Sequence, residues 1–389
     1  MISTKSADKV LKEVYLDVIS DYLNYRTNAF YNMIHKGSED VTGAHASVIC
    51  RYGINGGIGS PSETADLPQA GGNNYLKFRA ELCNIYGTIE ISDKAIRAAS
   101  SSEALVNLLN AEMEGLLEAA KFNFARMLFQ SGDGILCRVG DMTEPDLPED
   151  FIKIDSAKNL IEGMLIDILE PSGMEKKLSG ARIAAVDRAN RHLKLAQTLD
   201  GADISQGDII TVQDSYDSEI FGLPYVFDTD NPTLYGILRS NNHYLFPTKK
   251  EAQTLTNDII QEALDTVEEA SGNNANLIIC SYDARRAYFN HLAQSRLNVD
   301  YMNLDGGFKA LSYNGIPVVA DRFAPDKTMY FVNTDDFKLM QLGDWSWLEG
   351  GSGKILRQME NKAAYTATLV KYANLICAKP IGQGMIRLA

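Results

Sequence analysis

Residues 5 to 35 carry a helical period: Val10, Val14, Val18 and Tyr22 recur at helical spacing beside Leu11, Tyr15 and Ile19, and Gly37 ends the run. The apolar face is wide and aromatic, so it needs a surface to pack on, in its own subunit or in a neighbour. From residue 46 the pattern turns strand-like. Ala46–Tyr52 predicts one strand and Tyr75–Ile91 one or two more. Between them lie Gly53-Ile54-Asn55-Gly56-Gly57-Ile58-Gly59-Ser60-Pro61 and Gly71-Gly72-Asn73-Asn74, which are turn and tip chemistry rather than core. The pattern predicts a long hairpin with a loose end. An isolated hairpin is marginal in water, so such an arm needs a partner.

The helical period returns over residues 100 to 131. Ser100 with Glu103 forms a capping box. Leu105, Leu109, Met113, Leu116, Ala120, Phe124 and Met127 then make a stripe that Val106, Leu117 and Leu128 widen, and Gly132 stops the helix. A helix of that extent is roughly 40 Å long, a strut that few compact enzymes of this size need. Residues 150 to 226 switch to short strands: Phe151–Ile154, Met164–Leu169, Arg182–Asp187, His192–Leu195 and Asp208–Val212. Their regular spacing predicts a small antiparallel barrel, inserted between the long helix and the next α/β stretch. Over residues 250 to 345, helices at Ala252–Ala270 and Asp283–Gln294 alternate with strands at Leu277–Cys280, Leu311–Tyr313, Ile316–Ala320 and Met329–Val332. Asn314-Gly315 is the strongest hairpin signal in the chain. Ile355–Met359 and a long even run, Ala363–Ala378, predict closing strands that end at Pro380 and Gly382.

Composition bounds the function. A chain of 389 residues, 45% hydrophobic, can bury more than one core, and two or three units are expected. Lys and Arg number 37 against 51 Asp and Glu, a formal charge of -14. Such a chain repels polyanions at long range, which argues against tight nucleic-acid binding but not against a shell with DNA packed loosely inside. Cys50, Cys83, Cys137, Cys280 and Cys377 are scattered, odd in number and without a CxxC pair, so reduced, mostly buried thiols made in a cytoplasm are expected. Met1-Ile2-Ser3-Thr4-Lys5 does not open a secretory signal. The apolar stretch Leu160–Leu169 is broken by Glu162 and Asp167 and is too short to cross a bilayer, so a soluble protein without a membrane role is expected.

Enzyme motifs fail one by one. Gly351-Ser352-Gly353-Lys354 resembles a phosphate loop, but Leu348 stands where a glycine is needed and Ile355 where Ser or Thr is needed. Gly53–Gly59 lacks the GxGxxG spacing and opens no helix. His35, His45, His192, His243 and His291 stand alone in sequence, with no HExxH or HxH spacing. Neither a GxSxG elbow nor a nucleophile motif around a cysteine occurs. Asp228-Thr229-Asp230-Asn231 starts like a calcium loop and is broken by Pro232, so it reads as a turn. Trp345 and Trp347 are two apart and are read as packing beside a sheet rather than stacking a ligand. Paired acid and base carboxylates stay open at this stage, because carboxylates are plentiful.

The order of the parts carries a resemblance. Ile85-Tyr86-Gly87-Thr88-Ile89-Glu90-Ile91-Ser92 with Ala95-Ile96, the helix exit Phe129-Gln130-Ser131-Gly132-Asp133-Gly134, the hairpin Leu311-Ser312-Tyr313-Asn314-Gly315-Ile316-Pro317-Val318-Val319, Asp336-Phe337-Lys338-Leu339, and the ending Ala378-Lys379-Pro380 follow one another as in a known architecture. The chain resembles the major capsid proteins of tailed bacteriophages, with the Hong Kong 97-type capsid fold. The resemblance covers nearly the whole chain apart from residues 150 to 226, and it rests on order and spacing rather than on any single motif.

The resemblance implies an α+β fold: an N-terminal arm (1–45), an extended loop hairpin (46–92), a peripheral domain with the spine helix (93–149), an inserted β-barrel-like domain (150–226), an axial domain (227–353) and the final peripheral strands (354–389). It implies a structural protein, not an enzyme, without catalytic residue, cofactor or metal. Its partners would be copies of itself in hexamers and pentamers, a portal, a separate scaffolding protein and packaged double-stranded DNA bound without sequence specificity. The location would be the virion, after assembly in a host cytoplasm. Contacts between subunits would fall on the extended loop at Arg51, Tyr52, Gly56, Gly57, Tyr75, Lys77, Phe78 and Arg79. Arg51, Lys77 and Arg79 either meet a neighbour's acidic face or are ordinary solvated charges. Some relatives cross-link through a loop lysine and an asparagine near the last strand. Lys77 and Asn361 come nearest here, but Asn361 is out of register and the chemistry is not carried over. Two rivals stand beside this reading: an encapsulin-like nanocompartment shell with a cargo enzyme, and a soluble α/β enzyme with a glycine-rich lid.

Overall fold

The computed structural model describes residues 28–94, 102–144, 147–148, 150–173, 175–198, 203–294, 301–303, 309–349 and 355–389. The helix expected upstream of residue 28, the Ser100 cap and the Gly351–Lys354 turn lie outside the described residues. Among the described residues no helix is long and apolar enough to cross a membrane.

The long strand Ala364–Cys377 organises one end of the molecule. On one edge it pairs antiparallel with Cys83–Ser92 in unbroken register, from Ala364 opposite Ser92 to Ala373 opposite Cys83. On the other edge three short strands take turns: Arg357–Gln358, Ser346–Trp347 and Phe337–Gln341. His35–Gly37 adds a parallel strand beside Phe337–Gln341. The length of this strand lets it pair with all of these segments except His35–Gly37, which joins the sheet through Phe337–Gln341.

The spine helix, Ser102–Met127, crosses this peripheral sheet. It buries Met113, Leu117 and Phe124. Gly87 lets it come close, since a Cβ at Gly87 would sit 2.8 Å from the Leu116 side chain. Phe124 meets the edge of Tyr31 at 5.3 Å and of Trp345 at 5.9 Å. Trp345 and Trp347 are both buried, so they pack the core. Lys371 is fully buried here too, donating to Gln341 Oε1 at 2.7 Å and Asp344 Oδ1 at 3.0 Å.

A second sheet of six strands follows in the order Ile135–Arg138, Ile209–Val212, Leu165–Leu169, Lys176–Asp187, His192–Leu195, Phe151–Lys153. A bridge between Val139 and Ile154 joins the first of these strands to the last, so the sheet closes on itself. It has its own core, centred on Ile152, Leu160, Ile166, Ile168, Ala181, Leu193 and Ile210. Its strands run from residue 135 to 212, starting upstream of the 150–226 span read from sequence. Ile135–Arg138 lies in the stretch that the sequence reading gave to the peripheral domain.

The axial sheet has seven strands, in the order Thr248–Ala252, Gly384–Leu388, Thr328–Val332, Leu277–Cys280, Ile316–Ala320, Lys309–Tyr313, Tyr301–Asn303. Helices Asn257–Ser271 and Tyr282–Gln294 share one core with it. Asn314 and Gly315 both have positive φ, 49° and 81°, as the tight hairpin requires. The chain's last strand returns to this sheet, so residues 354–389 serve both the peripheral and the axial sheet.

Candidate assembly surface

The finger consists of His45–Tyr52 paired antiparallel with Asn74–Glu81, with Val41–Thr42 beside its base. Residues 53 to 73 form the tip outside these strands. The sequence pattern leaves one or two strands over Tyr75–Ile91, and the structure has two, divided at Leu82. Asn74–Glu81 belongs to the finger and Cys83–Ser92 to the peripheral sheet. The division comes with a change of partner, and the inward parity shifts there from even positions (Phe78, Ala80) to odd ones (Ile85, Ile89, Ile91).

Parity sorts the predicted contact residues. Ala46, Val48, Cys50, Phe78 and Ala80 point inward and are buried. Ile49, Arg51, Tyr75, Lys77 and Arg79 point outward and are exposed, with Ile49 opposite Lys77 and Arg51 opposite Tyr75. Phe78 therefore serves its own subunit: it is fully buried, 5.4 Å from the Tyr235 ring, and out of reach of a neighbour. Tyr52 is half-buried and lies 5.8 Å from Tyr244. Gly56 and Gly57 sit in the tip. Gly57 donates to Asn55 Oδ1 at 3.0 Å, and a Cβ there would meet the Gly71 nitrogen at 2.7 Å, so the two glycine runs press against each other.

The tip adds what motif reading missed. Ile54, Ile58 and Leu67 are 86%, 90% and 86% exposed. With Ile49 and Tyr75 they make an apolar finger. Burying each such side chain contributes about 1.5–3 kcal/mol. The signal was available in the sequence as large aliphatics inside a glycine-rich tip.

The root of the finger is rigid. Asn374, fully buried on the long strand, donates from Nδ2 to the Glu81 carbonyl at 2.7 Å and accepts the Phe221 amide at 2.9 Å. Arg79 N–H donates to the Tyr235 carbonyl at 3.1 Å. Arg126 near the end of the spine helix grips Glu219 through two hydrogen bonds, 2.8 and 2.5 Å, with both side chains out of water. Cys83 donates to the Glu219 carbonyl at 3.2 Å, and burial pushes its thiol up to about 12. The five cysteines are free, and burial likewise pushes Cys50 and Cys280 up to about 12. These bonds brace the root from which the exposed tip extends.

Long strand, spine helix, projecting finger and axial sheet together define a shell-forming capsid fold. Comparison with solved structures agrees: the capsid asymmetric unit of cyanophage A-1(L) superposes with a TM-score of 0.52 at 12% identity, covering 92% of this chain and 91% of that one. The capsid of a native GTA particle gives 0.49 at 11% identity, covering 93% and 90%. The holo-SrpI encapsulin of Synechococcus elongatus PCC 7942 gives 0.48 at 9% identity, covering 93% and 88%. Residues 217–352 match the family model described as SU10 major capsid protein. No curated protein matches the sequence. Over residues 217–352 the chain matches a major capsid protein family, and its fold is the Hong Kong 97-type fold of phage capsids; together these support a structural capsid protein.

Proposed function

We propose that copies of this chain assemble into the hexamers and pentamers of an icosahedral head enclosing a double-stranded DNA genome, and that the finger is the part that grips a sister subunit. The observation that carries the proposal is the exposed apolar finger on a braced root. Ile49, Ile54, Ile58, Leu67 and Tyr75 stay largely exposed among the described residues and gain by covering a second surface. The outward row Arg51, Lys77 and Arg79 adds positive charge for a sister whose net charge is -14. The segment boundaries read from sequence, a portal and a separate scaffolding protein belong to the same proposal. The match to a phage capsid family favours a genome-filled head over a cargo compartment.

The test is deletion of residues 54–72, with strands His45–Tyr52 and Asn74–Glu81 rejoined by a short turn. The expected product is a folded subunit, seen by circular dichroism and a cooperative melt, that yields no shells under the electron microscope. Normal particles from this variant would remove the finger from assembly.

A further inference from the structure

The six-stranded closed sheet and the axial sheet meet at a cleft of about 740 Å³. That size falls within the range of about 300–1,000 Å³ usual for small-molecule sites. The walls are cationic. Lys158, Arg188 and Arg191 come from the closed sheet, and Arg286 and Arg322 from the axial side. They outnumber the carboxylates of the cleft, Asp155, Asp283 and Asp326, in a chain whose net charge is -14. Most of this charge is matched within the subunit. Lys158 pairs with Asp326 at 2.6 Å, and Arg286 with Asp283. Arg188 holds Glu162 through hydrogen bonds of 3.1 and 3.2 Å. Asp155 accepts the Arg138 amide at 2.9 Å.

Two cations are left over. Among the described residues neither Arg191 nor Arg322 has a carboxylate partner. Asp321, next to Arg322 in the chain, is engaged with the Phe323 amide at 2.8 Å. Arg322 is also held in place: its guanidinium lies 5.0 Å from the ring centre of Phe122, on the spine helix, and 5.0 Å from that of Phe323. The two rings meet edge to face at 5.1 Å. A guanidinium resting on ring faces keeps the N–H groups at its edge for a ligand. Arg191 stands on the turn between Lys176–Asp187 and His192–Leu195 and is exposed. The unmatched arginines thus come one from each unit.

We infer that this cleft binds a phosphate-type anion carrying two or more negative charges, gripped by Arg191 and Arg322 at once. The planar fork of a guanidinium fits phosphate oxygens bidentately. A lone carboxylate balances only one of the two cations, whereas a phosphate group or a short phosphate chain balances both. Lys158, Arg188 and Arg286 keep their own partners and add to the field that draws an anion in. Because the two arginines belong to different units, the bound anion ties the closed sheet to the axial sheet. Two sources carry this chemistry: free compounds with a phosphate chain, such as nucleotides, and the backbone of DNA. The site lies within one subunit, so it stands or falls apart from the shell reading.

The test titrates the full chain, as unassembled subunits in chloride buffer, with sodium tripolyphosphate in a calorimeter. Saturable binding at one site per chain is expected. Arg191→Gln and Arg322→Gln, made singly, should each weaken it by about tenfold or more. Without the anion, both variants should melt close to the unaltered chain, since neither arginine holds a carboxylate of its own. Tripolyphosphate should raise the melting temperature of the unaltered chain and leave that of the double variant where it was. Lys249→Gln with Arg387→Gln, two exposed cations outside the cleft, should bind as the unaltered chain does. An equal loss in that control, binding that never saturates, or binding that survives both arginine changes would reduce the effect to net charge and overturn the site. Loss with only one of the two arginines overturns the grip across units. A short DNA duplex added as competitor identifies the source. Displacement of tripolyphosphate assigns the site to the DNA backbone, and persistence of tripolyphosphate assigns it to free phosphate compounds.

Discussion

Asp321 lies where the closed sheet meets the axial sheet. Its carboxylate accepts the Phe323 amide at 2.8 Å, and Lys158 reaches across from the closed sheet to the Ala324 carbonyl at 2.5 Å and Asp326 Oδ1 at 2.6 Å. Burial pushes the Asp321 carboxyl up to about 6, against the opposing pull of the Phe323 amide, Lys158 and Arg322. In the unfolded chain an aspartate titrates near 3.9. Below that pH both states hold the proton and nothing is lost. As the pH rises through about 6 the folded state must carry a buried carboxylate, and stability falls by on the order of 2 kcal/mol. Asp321→Asn keeps an acceptor for Phe323 and removes the charge. It should therefore melt higher than the unaltered protein at pH 8 and equal to it at pH 4, in parallel urea titrations. An equal gain at both values would show that ionisation is not the cost. None of this was legible in the sequence, where Asp321 is one acid among 51 acidic residues. By contrast Arg51, Tyr75, Lys77 and Arg79 were legible as one outward row. Strand parity fixes which side chains share a face, while Phe78 on the other parity had to turn inward.

Among the elements, the meeting of the spine helix with Cys83–Ser92 depends on one missing side chain. Gly87 lies opposite Leu369 on the long strand and beneath Leu116 of the helix. Gly87→Val would thrust a branched side chain into that gap and should cost about 1–3 kcal/mol through overpacking. Leu116→Ala alone should also destabilise, because Leu116 packs on the core. Combined, the two should cost less than their sum, with a coupling of about 0.5–3 kcal/mol in a double-mutant cycle. Simple additivity would mean that the helix does not ride on this glycine. The helix itself was plain from its stripe, and Asn314-Gly315 was plain from turn chemistry, because both are set by neighbours in sequence. The break at Leu82 shows as a shift of apolar parity, but the partner of Cys83–Ser92 was hidden for the opposite reason: it is decided by residues 364 to 373, nearly three hundred positions away. Thr248–Ala252 escaped notice likewise, reading as the start of the helix after it while pairing in parallel with the chain's end.

For the whole molecule, the question is whether the closed sheet is a unit in its own right. Its core is separate from the two that hold the rest of the described residues. Asp167 and Asp208, both buried, are satisfied within it, by Lys176 at 2.7 Å and by Lys177 at 2.9 Å. Its neck is narrow: Asp217 N–H donates to the Asp133 carbonyl at 2.9 Å, so the chain enters and leaves at one place. A closed sheet has no long open edge to protect, which removes the usual obstacle to small β units standing alone. Residues 133–217 expressed by themselves should therefore fold cooperatively, with a β-type circular dichroism spectrum and a stability of about 4–8 kcal/mol in urea. The side-chain bonds given up include those of Lys158 to Ala324 and Asp326, of Gln130 to Ile135 and of Ser131 to Asp133, each of them individually weak. A fragment that binds hydrophobic dye and melts without a transition would show that the closed sheet is held open or shut by the axial sheet. The closed sheet and the axial sheet would then have to be understood as one mechanical body.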